Sequence, residues 1–234
     1  MTDTVRSAWT RDRYPREGDG VAFDRVVFFS DAVFAIALTL AAVEIGLPEV
    51  EGDTNSISDL WDAVVAKGPG IGAYIVAFIW VAVYWRANHR FTMTLRAMNG
   101  AYVRSVLLYL ALIALLPIPA GLLGEYWQNP LAIVIFAVYA SACSAMEVVL
   151  FWVADRGDLF VAPLSAPFRR QQIIGSLTPV AVFLLSIPIA LFSPSLALLW
   201  WVVGSIGSGI VVNTRLQAAP PPDPEPGTEG PSGP

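Results

Sequence analysis

Six blocks of predominantly apolar residues follow one another along the chain, at roughly 26–47, 70–87, 103–123, 131–154, 171–192 and 195–213. A helix crossing the hydrocarbon core of a bilayer needs about 20 such residues. Within that core every backbone N–H and C=O must be bonded inside its own segment, which blocks of this length achieve as helices. The pattern therefore predicts an all-α membrane protein with six transmembrane helices. Composition agrees: 56% of the 234 residues are hydrophobic and 14% are charged, against about 25% charged in soluble domains.

The connections are legible as breaks. "PEVEGDTNSISDLWDAVVAKGPG" is polar and acidic, and its "SDLWDAVV" part has the character of a short surface helix. "RANHRFTMTLRAMNG" is basic, "GEYWQNP" is a short turn rich in interface aromatics, and "ADRGDLFVAPLSAPFRRQQ" is charged and broken by prolines. "FSPS" is tight enough to make the last two spans an antiparallel hairpin. Pro117, Pro119, Pro179 and Pro188 fall within spans and are expected to kink them. Trp127, Trp152, Trp200, Trp201 and Tyr126 suit interface belts.

Basic residues set the orientation. Arg6, Arg11, Arg13, Arg16 and Arg25 precede or open the first span; Arg86, Arg90, Arg96 and Arg104 flank the second connection. Arg156, Arg169 and Arg170 lie in the fourth, and Arg215 follows the sixth span. Of the 14 Lys and Arg, Lys67 alone falls on the other side, beside Glu49, Glu51, Asp53, Asp59 and Asp62. Both termini are thus expected in the cytoplasm. Residues 1–21 read as a cytoplasmic segment, 22–216 as the six-helix transmembrane domain, and 217–234 as a disordered Pro/Gly-rich tail. The first span is too long for the apolar core of a signal peptide and lacks a suitable cleavage site. No internal repeat of the six-span unit is visible.

A single cysteine, Cys143, excludes an intrachain disulfide framework and any CxxC metal site. A single histidine, His89, argues against a protein-only zinc centre. No His cluster, Ser/His pair or metal-ligand spacing is present to support catalysis, so no enzyme, catalytic residue or cofactor is expected. The expected surroundings are lipid bilayer, without nucleic acid.

The first span carries a carboxylate, Asp31, inside an apolar run. A helix turns about 100° per residue. With Ile36 at zero, Leu40 lies at about +40°, Val43 at about −20° and Thr39 at about −60°. Ser30, Phe34 and Asp31 lie at about +120°, +160° and −140°, on the opposite face. One face is thus a branched-aliphatic stripe with a threonine at its edge, and the other carries a serine and a carboxylate. Unpaired, Asp31 at the hydrocarbon edge costs about 1–3 kcal/mol. Donors at matching depth are Trp85, Asn88, His89 and Arg90, with Arg25 and Arg104 entering the same layer. The favoured reading is a buried polar network locking the first span to the second and third. A proton relay through Asp31 and His89, or substrate binding, are the alternatives.

The stretch "RVVFFSD" fits R-x-x-x-F-S-D, with Arg25, Phe29, Ser30 and Asp31 in the fixed positions, and it opens the first of six spans. "YWRANHRF" after the second span and "LLPIPAGLLGEY" at the end of the third add to the match. On these residues the chain resembles bacterial members of the endolysosomal potassium-channel family of transmembrane protein 175, over roughly 22–213. The resemblance implies a homotetrameric cation channel of the bacterial inner membrane, without a re-entrant pore loop or a "TVGYG" filter, passing potassium. It implies that the first helix lines the pore, with Ile36, Leu40 and Val43 as constriction layers and Thr39 as a hydroxyl influencing ion preference. Arg25, Phe29, Ser30 and Asp31 would then pack away from the pore, with Trp85, Asn88 and His89 as network partners. Val43 stands where leucine is usual in bacterial members.

The wheel is compatible with this independently. Apart from Glu44 at its outer end, the first helix offers no acidic ring and no carbonyl filter. A pore built on its stripe would gate by hydrophobic constriction and dewetting. Lipid contact or packing remains the alternative for such a stripe. Glu147, within the fourth span after the small-residue face "SACSA", is either a hydrogen-bonded packing group or an ion or proton site. Glu44 and the acidic outer loop are either a cation-concentrating mouth or an ordinary solvated loop. The competing function is a proton-coupled secondary transporter, or a proton-permeable channel, using Asp31, His89 and Glu147. No inverted repeat or paired discontinuous helix supports the transporter.

Overall fold

The computed structural model describes residues 13–17, 21–50 and 52–204. The expected tail at 217–234, the last part of the sixth block and the residues before Arg13 lie outside these. Five helices among the described residues are long and apolar enough to cross a membrane: Val21–Val43, Ile57–Met93, Gly100–Glu125, Pro130–Arg156 and Ala166–Phe192. The shorter apolar helix Pro194–Gly204 opens the sixth expected block. The protein is a multi-pass all-α membrane protein.

Helix α1, Val21–Val43, buries Phe23, Ser30, Phe34, Ala37 and Ala41. From Ser30 onward these recur three or four residues apart, the spacing of one helix face. Helix α2, Ile57–Ala66, is capped by Ser56, whose hydroxyl accepts from the Asp59 N–H, and buries none of its residues. After Lys67 the chain continues into α3, Gly68–Met93, with Pro69 in the first turn, where the missing N–H has no helical partner to lose. Asn99 caps α4, Gly100–Leu115, its Oδ1 accepting from the Tyr102 N–H at 2.8 Å.

The third span is broken. Leu116 separates α4 from α5, Pro117–Glu125. Pro117 has no N–H to continue the ladder, and the Leu116 N–H turns back to Ile113 O, three residues away. The expected interruption by Pro117 is thus a change of helix. Helix α6, Pro130–Arg156, begins at Asn129, which caps the Leu131 N–H at 2.9 Å. Helix α7, Ala166–Phe192, runs as one helix through Pro179 and Pro188. Helix α8 is Pro194–Gly204. Its Trp200 indole donates to Val182 O of α7 at 2.8 Å, fastening the hairpin.

Aromatic rings fill the core between α3, α6, α7 and α8. The Trp80 and Phe183 rings lie 4.5 Å apart, with Phe136 5.2 Å and Phe183 5.4 Å from Trp201. At the end of the molecule away from Glu44 and Tyr126, the N-terminal segment and two connections knit together. Strand β1, Arg13–Pro15, pairs antiparallel with β2, Ala97–Asn99. Arg13 donates to Gly157 O at 3.2 Å and Arg16 to Met93 O at 2.9 Å. Arg96 pairs with Asp158, and Leu95 bridges to Phe160. This short sheet was not foreseen in an all-helical reading. It brings the N-terminal segment and the α3–α4 and α6–α7 connections, with Arg13, Arg16 and Arg96, to one side of the molecule.

At the other end Gly46 turns the chain out of α1 with φ of +66°, open to glycine without a Cβ penalty. Gly124 lets α5 close on α3: a Cβ there would stand 3.1 Å from the Gly70 Cα.

Candidate pore helix and its anchor

The two faces of α1 have different fates. Ser30, Phe34, Ala37 and Ala41 are buried within the chain. The alanines leave room for neighbouring backbones, and the Phe34 ring meets Tyr109 of α4 edge-on at 6.0 Å and 61°. Ser30 Oγ donates to Val26 O at 2.8 Å, so its polarity is absorbed within the helix. On the other face Ile36 is 54% exposed, Leu40 45% and Val43 71%. Thr39 is exposed beside them; its hydroxyl donates to Ile36 O at 2.8 Å, which leaves its lone pairs free to accept.

Asp31 is half-buried. Its Oδ1 accepts from the Trp85 indole N–H at 2.8 Å, joining α1 to α3. The Trp85 ring is stacked on His89 one turn on, 5.4 Å between centroids and 24° between planes. Asn88 is buried on the same helix and its carbonyl accepts from Thr92 Oγ1. The lock on the third span is apolar, through Phe34 and Tyr109, rather than through Asp31. Phe29 is exposed on the single chain, as are Arg25, Arg90 and Arg104. Among the described residues the ion pairs are Arg96–Asp158 and Arg169–Asp155, so those arginines are not salt-bridged to Asp31.

The outer end of the stripe carries Glu44, exposed and leaning on α5, where its Oε2 lies 2.8 Å from the place a Gly121 Cβ would take. Among the described residues no three His, Cys, Asp or Glu side chains converge as metal ligands. Glu147 accepts from the Tyr109 hydroxyl at 3.2 Å. Beside it Tyr84 of α3 donates to Ala140 O at 2.8 Å and shares a 3.0 Å hydrogen bond with Ser144. Sequence reasoning singled out Glu147 but not its tyrosine, because the two lie 38 residues apart on separate helices. An apolar cleft of about 460 Å³ between α3, α5 and α8, lined by Pro69, Val76, Leu123, Trp127, Leu198 and Val202 among others, takes no residue from α1.

A family profile described as "Endosomal/lysosomal potassium channel TMEM175" matches residues 25–117. That stretch runs from Arg25 through α1, α3 and α4, and so includes every residue of the stripe and the anchor. A potassium channel of Streptomyces collinus is 33% identical over 208 residues, covering 84% of this chain and 97% of that protein. A second potassium channel, of Chamaesiphon minutus, is 35% identical over 131 residues, 53% of this chain and 61% of the relative. The fold matches the crystal structure of a lysosomal potassium-selective channel TMEM175 homolog from Chamaesiphon minutus, with a TM-score of 0.66 at 24% identity over 81% of this chain and 97% of that one. A crystal structure of a variant of the potassium channel MtTMEM175, bound to a nanobody fusion, matches with a TM-score of 0.55 at 18% identity over 83% of this chain and 94% of that one. With a relative matched along nearly its whole length and the profile lying over the helix with the exposed stripe, the chain belongs to the TMEM175 family, a family of ion channels rather than enzymes.

Proposed function

We propose that the protein is a potassium-preferring cation channel of the bacterial inner membrane, assembled as a homotetramer with α1 at its axis and both termini in the cytoplasm. Ile36, Leu40 and Val43 form the constriction, and Thr39 biases ion preference beside it. The Asp31–Trp85 hydrogen bond, with His89 stacked on Trp85, holds the helix from its other side; Arg25, Phe29, Ser30 and Asn88 complete that motif network in the assembled channel. The observation that carries this is the division of α1: its small and aromatic face is consumed by the chain's own packing, while the branched-aliphatic stripe is left outward. Relatives named as potassium channels support the ion.

A ring of aliphatic side chains holds no charge and no carbonyl array, so it acts through water. An ion crosses such a constriction only after shedding part of its hydration shell. Potassium sheds water more readily than sodium, which gives a modest preference without a dedicated filter. The permeant potassium is cargo, and no cofactor takes part.

Reconstitution into liposomes and planar bilayers tests the reading. Wild-type protein is expected to pass ohmic potassium currents without coupling to a pH gradient; saturating, proton-driven uptake would favour a transporter. Ile36→Asn is expected to wet the constriction, raise leak and lower the preference for potassium over sodium. Unchanged currents in that variant would remove Ile36 from the pore.

A further inference from the structure

We propose that Glu147 is a positioning residue for the pore helix, acting through Tyr109 and Phe34. This rests on the reading of α1 as pore-lining and deepens it. Two contacts in series and the register of α1 carry the proposal. The Glu147 carboxylate on α6 accepts from the Tyr109 hydroxyl on α4 at 3.2 Å. The Tyr109 ring, fully buried, meets the edge of Phe34 at 6.0 Å. Phe34, 1% exposed, stands on α1 two residues before Ile36.

The geometry of α1 turns this series into control of the stripe. Phe34 and Ile36 are nearly opposite on the helix, about 160° apart after two residues, the complement of a 200° advance. A push on Phe34 along the line from Tyr109 therefore moves Ile36 outward by almost the same distance. The neighbourhood makes the push rigid. Tyr84 is fixed to the α6 backbone at Ala140 and to Ser144, and Cys143 is buried between the same helices. Close-packed interiors transmit displacement rather than absorb it. A hydrophobic constriction is sensitive to small changes of radius, because its wetting depends on width.

A carboxyl inside a span also needs a reason to be there. A tyrosine anchored only by its ring could slide along Phe34. The hydrogen bond to Glu147 fixes how far the phenol reaches from α4, and with it the spacing between α4 and α1. The assigned role is thus mechanical: the carboxyl neither touches the ion nor faces the stripe.

The test compares Glu147→Leu, Glu147→Gln, Tyr109→Phe and the pair Glu147→Leu with Tyr109→Phe in bilayer recordings, alongside the yield and thermal stability of the oligomer. Gln keeps an acceptor for the phenol and is expected to preserve conductance and reversal potential. Leu at 147 and Phe at 109 are each expected to change the potassium-to-sodium permeability ratio by at least about twofold. The double variant is expected to be no further displaced than Glu147→Leu alone, because the carboxyl also meets Ser176 and its loss already cuts the link to Tyr109. If the single variants lower stability but leave conductance and reversal potential at wild-type values, the residue is structural only and the proposal falls. Additive shifts in the double variant would also overturn it. Failure of the channel reading itself would show separately, as absence of potassium current from the wild-type protein.

Discussion

Trp85→Phe isolates one interaction at the end of α1 that carries Asp31. The ring that stacks on His89 is replaced by another aromatic ring, while the N–H that reaches Asp31 is lost. At 2.8 Å the bond is short and its acceptor is a carboxylate, a class that contributes about 1.5–3 kcal/mol in soluble proteins. Between membrane helices the measured average is nearer 0.6 kcal/mol, with a maximum of about 1.7. Trp85 is 40% exposed on the single chain, which argues for the lower end. The direct loss is therefore about 1 kcal/mol per chain. A second cost follows, because the Asp31 carboxyl is left without its partner, worth about 1–3 kcal/mol at that depth. Asp31→Asn retains an oxygen acceptor and is expected to stay near wild type. Asp31→Ala loses the bond without stranding a carboxylate and is expected to fall between. The pair Trp85→Phe with Asp31→Ala is then expected to be more stable than Trp85→Phe alone. The assay is the temperature at which half the oligomer peak is lost in fluorescence-detected size exclusion, run on purified protein. Additive losses, or a Trp85→Phe protein as stable as wild type, would refute the argument.

Two further outcomes test the packing that positions α1. Gly124→Val places a branched side chain where even a Cβ meets the Gly70 Cα at 3.1 Å and the Ala73 Cβ at 3.3 Å. It is expected to destabilise the protein by about 1–3 kcal/mol, read as a lower thermal midpoint; an unchanged midpoint would mean that α5 and α3 are not in backbone contact. Cys143, fully buried between helices, is expected to resist a membrane-permeant maleimide in the folded protein and to react once denatured. Rapid labelling of the native state would contradict the packing of α6.

Much of this architecture is readable from apolar block length and helical period, because both are local properties. The stripe of Ile36, Leu40 and Val43 and the inward face of Ser30 and Phe34 are separated by a wheel calculation alone, and the structure divides α1 along the same line. Pro117 marks the break in the third span for a covalent reason. What lies beyond local reading is pairing. Four donors near the end of the second span compete for Asp31, and only the relative rotation of α1 and α3 selects Trp85. The strand pair Arg13–Pro15 with Ala97–Asn99 is invisible to a period argument, since three residues with a proline at one end are too few to show alternation.

The same distinction bears on the proposed pore face. An exposed aliphatic stripe on a membrane helix is ordinarily a lipid contact, and α1's stripe has no feature of its own that excludes this. The distinction comes from the other face. A helix at the periphery of a bundle needs only enough inward packing to stay docked, and its polar groups can reach the headgroup layer. Here the inward face is fixed three ways: by the small residues Ala37 and Ala41, by the Phe34–Tyr109 contact, and by the Asp31–Trp85 bond at one end. Such fixing orders the helix in rotation as well as in depth, and rotation is what a symmetric constriction requires. In the proposed pore, a roll of about 50°, half the advance per residue, would exchange Ile36 for Ala35 or Ala37 at the axis. On the proposed reading anchor and stripe are one device, and a variant that frees the anchor without dissociating the proposed oligomer should blur selectivity before it abolishes conduction.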